Sequence, residues 1–171
     1  MKLFAKQSFH TTSISQIAEA ANVSKGLMYN YFKSKEALLL AIIHQASEEI
    51  FDVADHLSSR SNYQKTLRHF LDQYFLFLKA NKSYISFQLG LFFQPDLKKI
   101  VEAPLQKRAD HLLSLTEAMF REAGIDDPNS TARRFMTELD GIAFHFLAVF
   151  KNFPLERMQE NLFNNYKRLQ K

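Results

Sequence analysis

A chain of 171 residues that is 46% hydrophobic has enough apolar mass for a sizeable core, and its length favours one or two domains. The absence of cysteine excludes disulfides, thiolate metal sites and a cysteine nucleophile, and only 4 Gly and 4 Pro are too few turn formers for a many-stranded β protein. The net charge of +4 is modest, but residues 1–36 set Lys2, Lys6, Lys25, Lys33 and Lys35 against Glu19 and Glu36, so +3 of it sits at one end and suits an anionic partner.

Apolar runs such as 37–43 are far too short to span a bilayer, and the N-terminus lacks a signal-peptide apolar region. Together with the missing cysteines this predicts a soluble protein of a reducing cytoplasm, with no membrane partner.

Taken in chain order, residues 1–8 hold Leu3 and Phe4 and read as the end of a helix. Ser13 with Gln16 three residues on is a capping box, and the short helix it starts places Ile14, Ile17, Ala18 and Ala21 inward. Asn22 tolerates a left-handed turn. Ser24 caps a second short helix anchored by Val23, Met28 and Phe32, and Ser34 caps a third with Glu36 in its first turn.

Longer helices follow. Leu39, Ile43, Ala46, Ile50, Val53 and Leu57 step by three or four, giving one stripe to about residue 58. Residues 62–80 carry Leu67, Phe70, Leu71, Tyr74 and Leu78 in the same way, and 83–93 is apolar on most sides. Residues 95–123 are helical in pattern, with a break or kink expected near Glu102 because of Pro104. Gly124 ends that segment, and Asp127-Pro128 restarts the chain as N-cap and first helical residue. That helix is expected to reach about Phe153, and Pro154 opens a last one to about Leu169. No strand is predicted, so the fold class is all-α.

Two short helices joined by a tight turn and anchored on one apolar cluster meet the needs of a helix-turn-helix, in which the first helix braces and the second enters a major groove. With Met28 and Phe32 inward, Lys25, Gly26, Leu27, Tyr29, Asn30 and Tyr31 face outward. Leu and two Tyr are poor choices for plain solvent exposure but suit DNA. Asn pairs with adenine edges, apolar atoms meet thymine methyls, and Tyr hydroxyls reach phosphates. Gly26 costs about 1 kcal/mol of helix propensity relative to Ala, a cost that close approach to a duplex explains. Ser34 and Lys35 place N–H groups and a cation at a helix start, where phosphate is favoured.

The run Thr12-Ser13-Ile14-Ser15-Gln16-Ile17-Ala18, then Val23-Ser24-Lys25-Gly26-Leu27-Met28-Tyr29-Asn30-Tyr31-Phe32, then Ser34-Lys35-Glu36-Ala37-Leu38-Leu39 resembles the DNA-binding domain of TetR/AcrR-type regulators. The resemblance covers most of residues 9–39. It implies that 25–31 form the recognition helix and that Thr12, Ser13, Tyr31 and Lys35 meet phosphates. It also implies a helix-turn-helix domain over 1–45 and a helical ligand-binding and dimerisation domain over 46–171. The family usually has a fuller first helix, so the one here is expected to be truncated at Met1. A small residue, commonly Gly, usually occupies the position of Ser8, so strain is expected there.

Beyond residue 45 the resemblance is one of architecture, and it implies a homodimer formed through the last two helices, with a small-molecule effector. Two stripes agree with this: Phe135, Leu139, Ile142, Phe146 and Phe150 on one helix, and Leu155, Met158, Leu162, Tyr166 and Leu169 on the other. Paired with their symmetry mates they would close a four-helix bundle, although an intramolecular core produces the same stripes. The stretch Glu138-Leu139-Asp140-Gly141-Ile142 resembles a Leu-Asp-Gly pattern of this helix in the family. The aromatics Phe70, Tyr74, Phe77, Tyr84, Phe87, Phe92, Phe93, Phe120 and Phe144, with His111, His145 or Gln88 as polar anchors, are the candidate pocket lining; simple close packing is the competing reading.

An enzyme built on His69, His111, His145, Glu138 and Asp140 is disfavoured, because no His-x-x-x-His pair, Gly-rich phosphate loop or Gly-x-Ser-x-Gly elbow is present. A DNA-binding adaptor regulated by a protein partner is the other alternative. The expectation is a repressor that binds operator DNA as a homodimer, requires no cofactor or metal, and is released by a small, largely apolar effector.

Overall fold

A computed structural model describes residues 2–55 and 62–170, the side chains of 52–55 excepted. The elements are α1 (Lys2–Gln7), α2 (Ile14–Ala20), α3 (Lys25–Tyr31), α4 (Lys35–Asp55), α5 (Tyr63–Ala80), α6 (Lys82–Leu91), α7 (Pro95–Glu122), α8 (Pro128–Phe144), a π-helical turn (His145–Val149) and α9 (Leu155–Lys167). The fold is all-α, and no strand occurs among the described residues. The Val53 side chain and Leu57, expected on the stripe of α4, lie outside what is described.

The helix ends follow from short-range chemistry. Asn62 Oδ1 accepts from Lys65 N–H at 3.1 Å to start α5, and Asp127 Oδ1 accepts from Ser130 N–H at 3.2 Å to start α8, with Pro128 in the first turn. At the end of α7, Gly124 adopts φ +73°, and Ile125 N–H reaches back to Phe120 O at 3.1 Å while Gly124 N–H reaches Arg121 O at 3.0 Å. This pairing satisfies two carbonyls the helix leaves open.

Two expectations are corrected. Helix α7 runs as one helix through Pro104, so of the break or kink expected near Glu102 the break does not form. A proline removes one N–H donor, and Val101 and Leu105 on either side are buried, so packing holds the helix where propensity alone would end it. Helix α8 does not continue regularly to Phe153: after Phe144 the backbone widens into the π turn, closed by Phe150 N–H to His145 O at 3.1 Å, and Phe150 is extended. A π turn adds one residue, which rotates the residues after it by about 100° from the expected stripe.

The chain divides into two compact units, Met1–Glu48 with Ser83–Gln106 and Glu49–Lys82 with Lys107–Lys171. The first therefore includes α6 and the start of α7, which a linear reading at 45/46 leaves to the other side. Its core holds Phe4, Phe9, Ile14, Ala18, Met28, Leu39, Ile43, Phe87, Leu91, Leu97 and Val101, with the Phe4 ring 5.1 Å from Phe9 and stacked 5.8 Å from Phe87.

The second unit is built on an aromatic cluster. Phe135 lies 5.6 Å from Phe70, 5.5 Å from Phe120 and 4.7 Å from Tyr166, ring to ring. Helices α5 and α9 pack together. Tyr63 Oη donates to Tyr166 O at 2.9 Å, across 103 residues of sequence. Burial pushes the Tyr63 hydroxyl above the usual phenol range and, against the pull of Arg134, pushes Tyr166 up to about 12. On the outer side Arg68 forks onto Glu160, Lys79 meets Glu156 at 2.7 Å, and Gln159 Nε2 donates to Asp72 at 2.7 Å. These exposed pairs set register and contribute little stability. Among the described residues no helix is long and apolar enough to cross a membrane.

Candidate nucleic-acid interface

The site is assembled from caps outward. Ser13 Oγ accepts from Gln16 N–H at 3.2 Å while Gln16 Oε1 accepts from Ser13 N–H at 2.8 Å, completing the capping box that starts α2. Helix α2 buries Ile14 and Ala18, whereas Ile17 is half-buried and Ala21 exposed. Its end is a tight left-handed turn: Asn22 has φ 54°, Asn22 N–H bonds Glu19 O and Val23 N–H bonds Ala18 O, both at 3.0 Å. Ser24 Oγ then accepts from Leu27 N–H at 3.1 Å and opens α3, which packs on α2.

Helix α3 is pinned from inside by Met28, with Phe32 half-buried just past its end. Gly26 and Asn30, each two residues from Met28, lie about 200° around the helix from it and share the outer face. Around them the apolar side chains stand in solvent: Leu27 is 42% exposed, Tyr29 46% and Tyr31 75%. Lys25 Nζ lies 5.9 Å above the Tyr29 ring. A Cβ added at Gly26 would meet only Ser24 Oγ, at 3.9 Å, so nothing inside the protein requires glycine there. Ser34 Oγ accepts from Ala37 N–H at 3.1 Å to cap α4, and backbone N–H groups hold the Glu36 carboxyl below its usual range.

The expected phosphate contacts separate into two groups. Ser13 and Tyr31 are exposed. Thr12 is only 1% exposed and its hydroxyl donates to Ser8 O at 2.6 Å, so its side chain faces inward. Lys35 folds back over the loop before α2, its Nζ donating to Phe9 O at 2.7 Å, His10 O at 3.1 Å and Thr12 O at 3.0 Å. Sequence reasoning missed this contact because it spans more than twenty residues; the pairing of a lysine with a glycine-poor loop carries no local pattern.

Ser8 takes φ +72°. A left-handed L-residue costs about 1–2 kcal/mol, so Ser8→Gly should stabilise the fold by about 1 kcal/mol and raise the thermal midpoint. An unchanged midpoint would mean that the Ser8 hydroxyl contact with Thr11, at 3.1 Å, offsets the strain.

The candidate pocket residues fall in both units. Tyr84, Phe87, Gln88 and Phe92 belong to the first unit, and Phe70, Tyr74, Phe77, His111, Phe120, Phe144 and His145 to the second. Phe70 and Phe120 are core, closed by ring contacts to Phe135. Phe92 and Phe144 are surface rings, 46% and 43% exposed, and exposed His145 stacks on Phe150 at 5.3 Å and Phe153 at 6.2 Å. Within the second unit Tyr74 Oη donates to Leu139 O at 2.9 Å and His111 meets the Phe51 ring at 4.3 Å.

The proposed dimer stripes are also corrected. Phe135, Leu139, Leu162 and Tyr166 are buried inside a single chain, because α5 and α7 cover the face expected to meet a partner. Ile142, Phe146 and Met158 are half-buried and Phe150 is 53% exposed; Phe144 and Val149 join it at the surface. Among the described residues no group of three or more metal-ligating side chains is gathered.

An all-α chain whose capped α2 and α3 present an exposed, aromatic-rich helix belongs to the helix-turn-helix class. Residues 1–42 match the profile of the bacterial regulatory proteins of the tetR family. The chain is 32% identical over 123 residues to the uncharacterised helix-turn-helix-type transcriptional regulator YuxN of Bacillus subtilis, a match covering 67% of this chain and 42% of that protein's length. With YvkB of the same organism identity is 25% over 169 residues, covering 94% of this chain and 87% of YvkB. In structure it resembles a transcriptional regulator from Aquifex aeolicus, with a TM-score of 0.75 and 20% identity over 98% of this chain and 92% of that one. A TetR transcriptional regulator from Legionella pneumophila is similar too, with a TM-score of 0.74 and 18% identity, covering 99% and 91%. Residues 1–42 therefore carry the tetR-family helix-turn-helix segment, and the whole chain shares the fold of TetR-type transcriptional regulators, while the match to YuxN spans less than half of that relative's length.

Proposed function

We propose that this protein is a ligand-responsive repressor that binds operator DNA as a homodimer and is released by a small, largely apolar effector. The observation that carries the reading is the outer face of α3, where Leu27, Tyr29 and Tyr31 stand exposed around Gly26 and Asn30 on a helix pinned by Met28. In this reading Lys25, Gly26, Leu27, Tyr29, Asn30 and Tyr31 enter the major groove, and Ser13, Lys25 and Tyr31 meet phosphates. Selection from a random duplex library by the full protein should enrich a palindrome with half-sites about one helical turn apart, ~34–36 Å, or a multiple of it. Recovery of no sequence above background would overturn the proposal.

The dimer is assigned to the α8–α9 region, using the surface that the folded monomer leaves apolar: Ile142, Phe144, Phe146, Val149, Phe150 and Met158. Sedimentation at micromolar concentration should show a dimer, and Phe144→Glu with Phe150→Glu should return it to monomer with the helical spectrum intact. A variant that stays dimeric would place the interface elsewhere. The effector is assigned to the second unit, which holds Tyr74, Phe77 and His111, with His111 against the Phe51 ring at 4.3 Å. Effector and DNA must then weaken each other's binding by the same factor.

A further inference from the structure

The geometry points to Lys35 as a positioning residue that clamps the loop leading into the DNA-binding helices, rather than a contact to DNA itself; this rests on the proposed DNA-binding role. An ammonium group has three N–H donors. Those of Lys35 are taken by three backbone carbonyls, Phe9 O, His10 O and Thr12 O, at 2.7, 3.1 and 3.0 Å. Its Nζ also lies 4.5 Å from the centroid of the buried Phe9 ring. A phosphate oxygen could gain a hydrogen bond from this group only by displacing a carbonyl.

The rest of the loop is organised around the same need. Its carbonyls point away from any helix ladder, and each requires a donor. Thr11 Oγ1 donates to Gln7 O and Thr12 Oγ1 to Ser8 O, so side chains of the loop serve residues 7 and 8 while Lys35 serves 9, 10 and 12. The next residue, Ser13, is the N-cap of α2, and α2 packs on α3. Lys35, in the first turn of α4, therefore fixes where α2 begins and through it the placement of the α3 face. Ser8, with φ +72°, shows that the loop is held in a conformation its own residues do not favour.

The test uses the full protein, a mixed-sequence 40-base-pair duplex titrated over a range of KCl, and amide hydrogen exchange of the free protein. Lys35→Met removes the donors and keeps most of the stem. It should speed exchange at residues 9–13 and weaken duplex binding roughly tenfold, the worth of about one charge-assisted hydrogen bond. Measured where both proteins are fully folded, the weakening should be equal at every salt concentration, leaving the slope of log K against log [salt] unchanged. A slope reduced by about 0.9 per head, with exchange at 9–13 unaltered, would make Lys35 a phosphate contact and overturn the proposal. Faster exchange with unchanged duplex affinity would also overturn it, leaving a purely structural lysine. If Lys35→Met does not fold, Lys35→Gln, an uncharged side chain with two donors, gives the same comparison. Should the wild-type protein bind no duplex, the DNA-binding reading falls, and the clamp then stands or falls on the exchange measurement alone.

Discussion

Phe135→Ala is expected to cost about 3–5 kcal/mol of folding stability. The ring is fully buried and contacts Phe70 of α5, Phe120 of α7 and Tyr166 of α9, so four helices meet on it. Its removal leaves a cavity walled by rings that are themselves fixed by partners: Phe120 lies 6.2 Å from Tyr63, and Tyr166 Oη donates to Glu138 at 3.0 Å. Collapse into the space is therefore limited, which places the cost toward the upper end. Against a total of about 5–15 kcal/mol for a domain, the loss should be plain in a denaturant midpoint. Phe150→Ala, with the ring 53% exposed, should change the midpoint far less and should act on dimer affinity instead. A loss below about 1 kcal/mol for Phe135→Ala would show that the aromatic cluster is not closed within one chain.

The second large effect concerns sequence readout. Asn30→Ala should relax preference at one base pair per half-site, with a loss of about 1–3 kcal/mol of discrimination. Asn30 is exposed and sits opposite Met28, on the face that also carries Gly26, so in the proposed complex its amide would project toward the duplex. Lys25→Ala should behave differently. In the proposed complex this cation at the start of α3 would meet phosphate and carry little base information, so binding should weaken on every duplex and the salt slope should fall by about 0.9 per head. The pair is measured on the selected operator and on single-base variants of it. Uniform weakening by Asn30→Ala, with its base preferences intact, would remove Asn30 from the reading residues.

Much of the local structure is legible in the residues alone, and the reason is range. A cap is a bond between neighbours three residues apart, so Ser13 with Gln16, Ser24 and Asp127 announce the starts of α2, α3 and α8. Asn22 and Gly124 announce two stops for the same reason, since left-handed φ is a property of a single residue. The outward face of α3 comes from one buried anchor and a period of 3.6 residues. These features, and the all-α class, were determined by the sequence itself.

The tertiary structure decided what each apolar face is buried against. Periodicity shows that Phe135, Leu139, Leu162 and Tyr166 face something apolar, but a stripe has the same period whether it meets its own chain or a second copy. Only the packing of α5 and α7 over that face resolves the choice in favour of the monomer core. Pro104 shows the same limit from the other side: its local preference is to end a helix, and burial of Val101 and Leu105 overrides it. The π turn after Phe144 redirects Phe150 by inserting a residue into the ladder, a change no hydrophobic pattern encodes. Lys35 is the sharpest case, because a lysine at a helix start reads as a free cation until residues 9, 10 and 12 bring three carbonyls to it. Bonds between near neighbours are written in the order of residues, whereas a contact across 26 residues exists only once the chain has closed on itself.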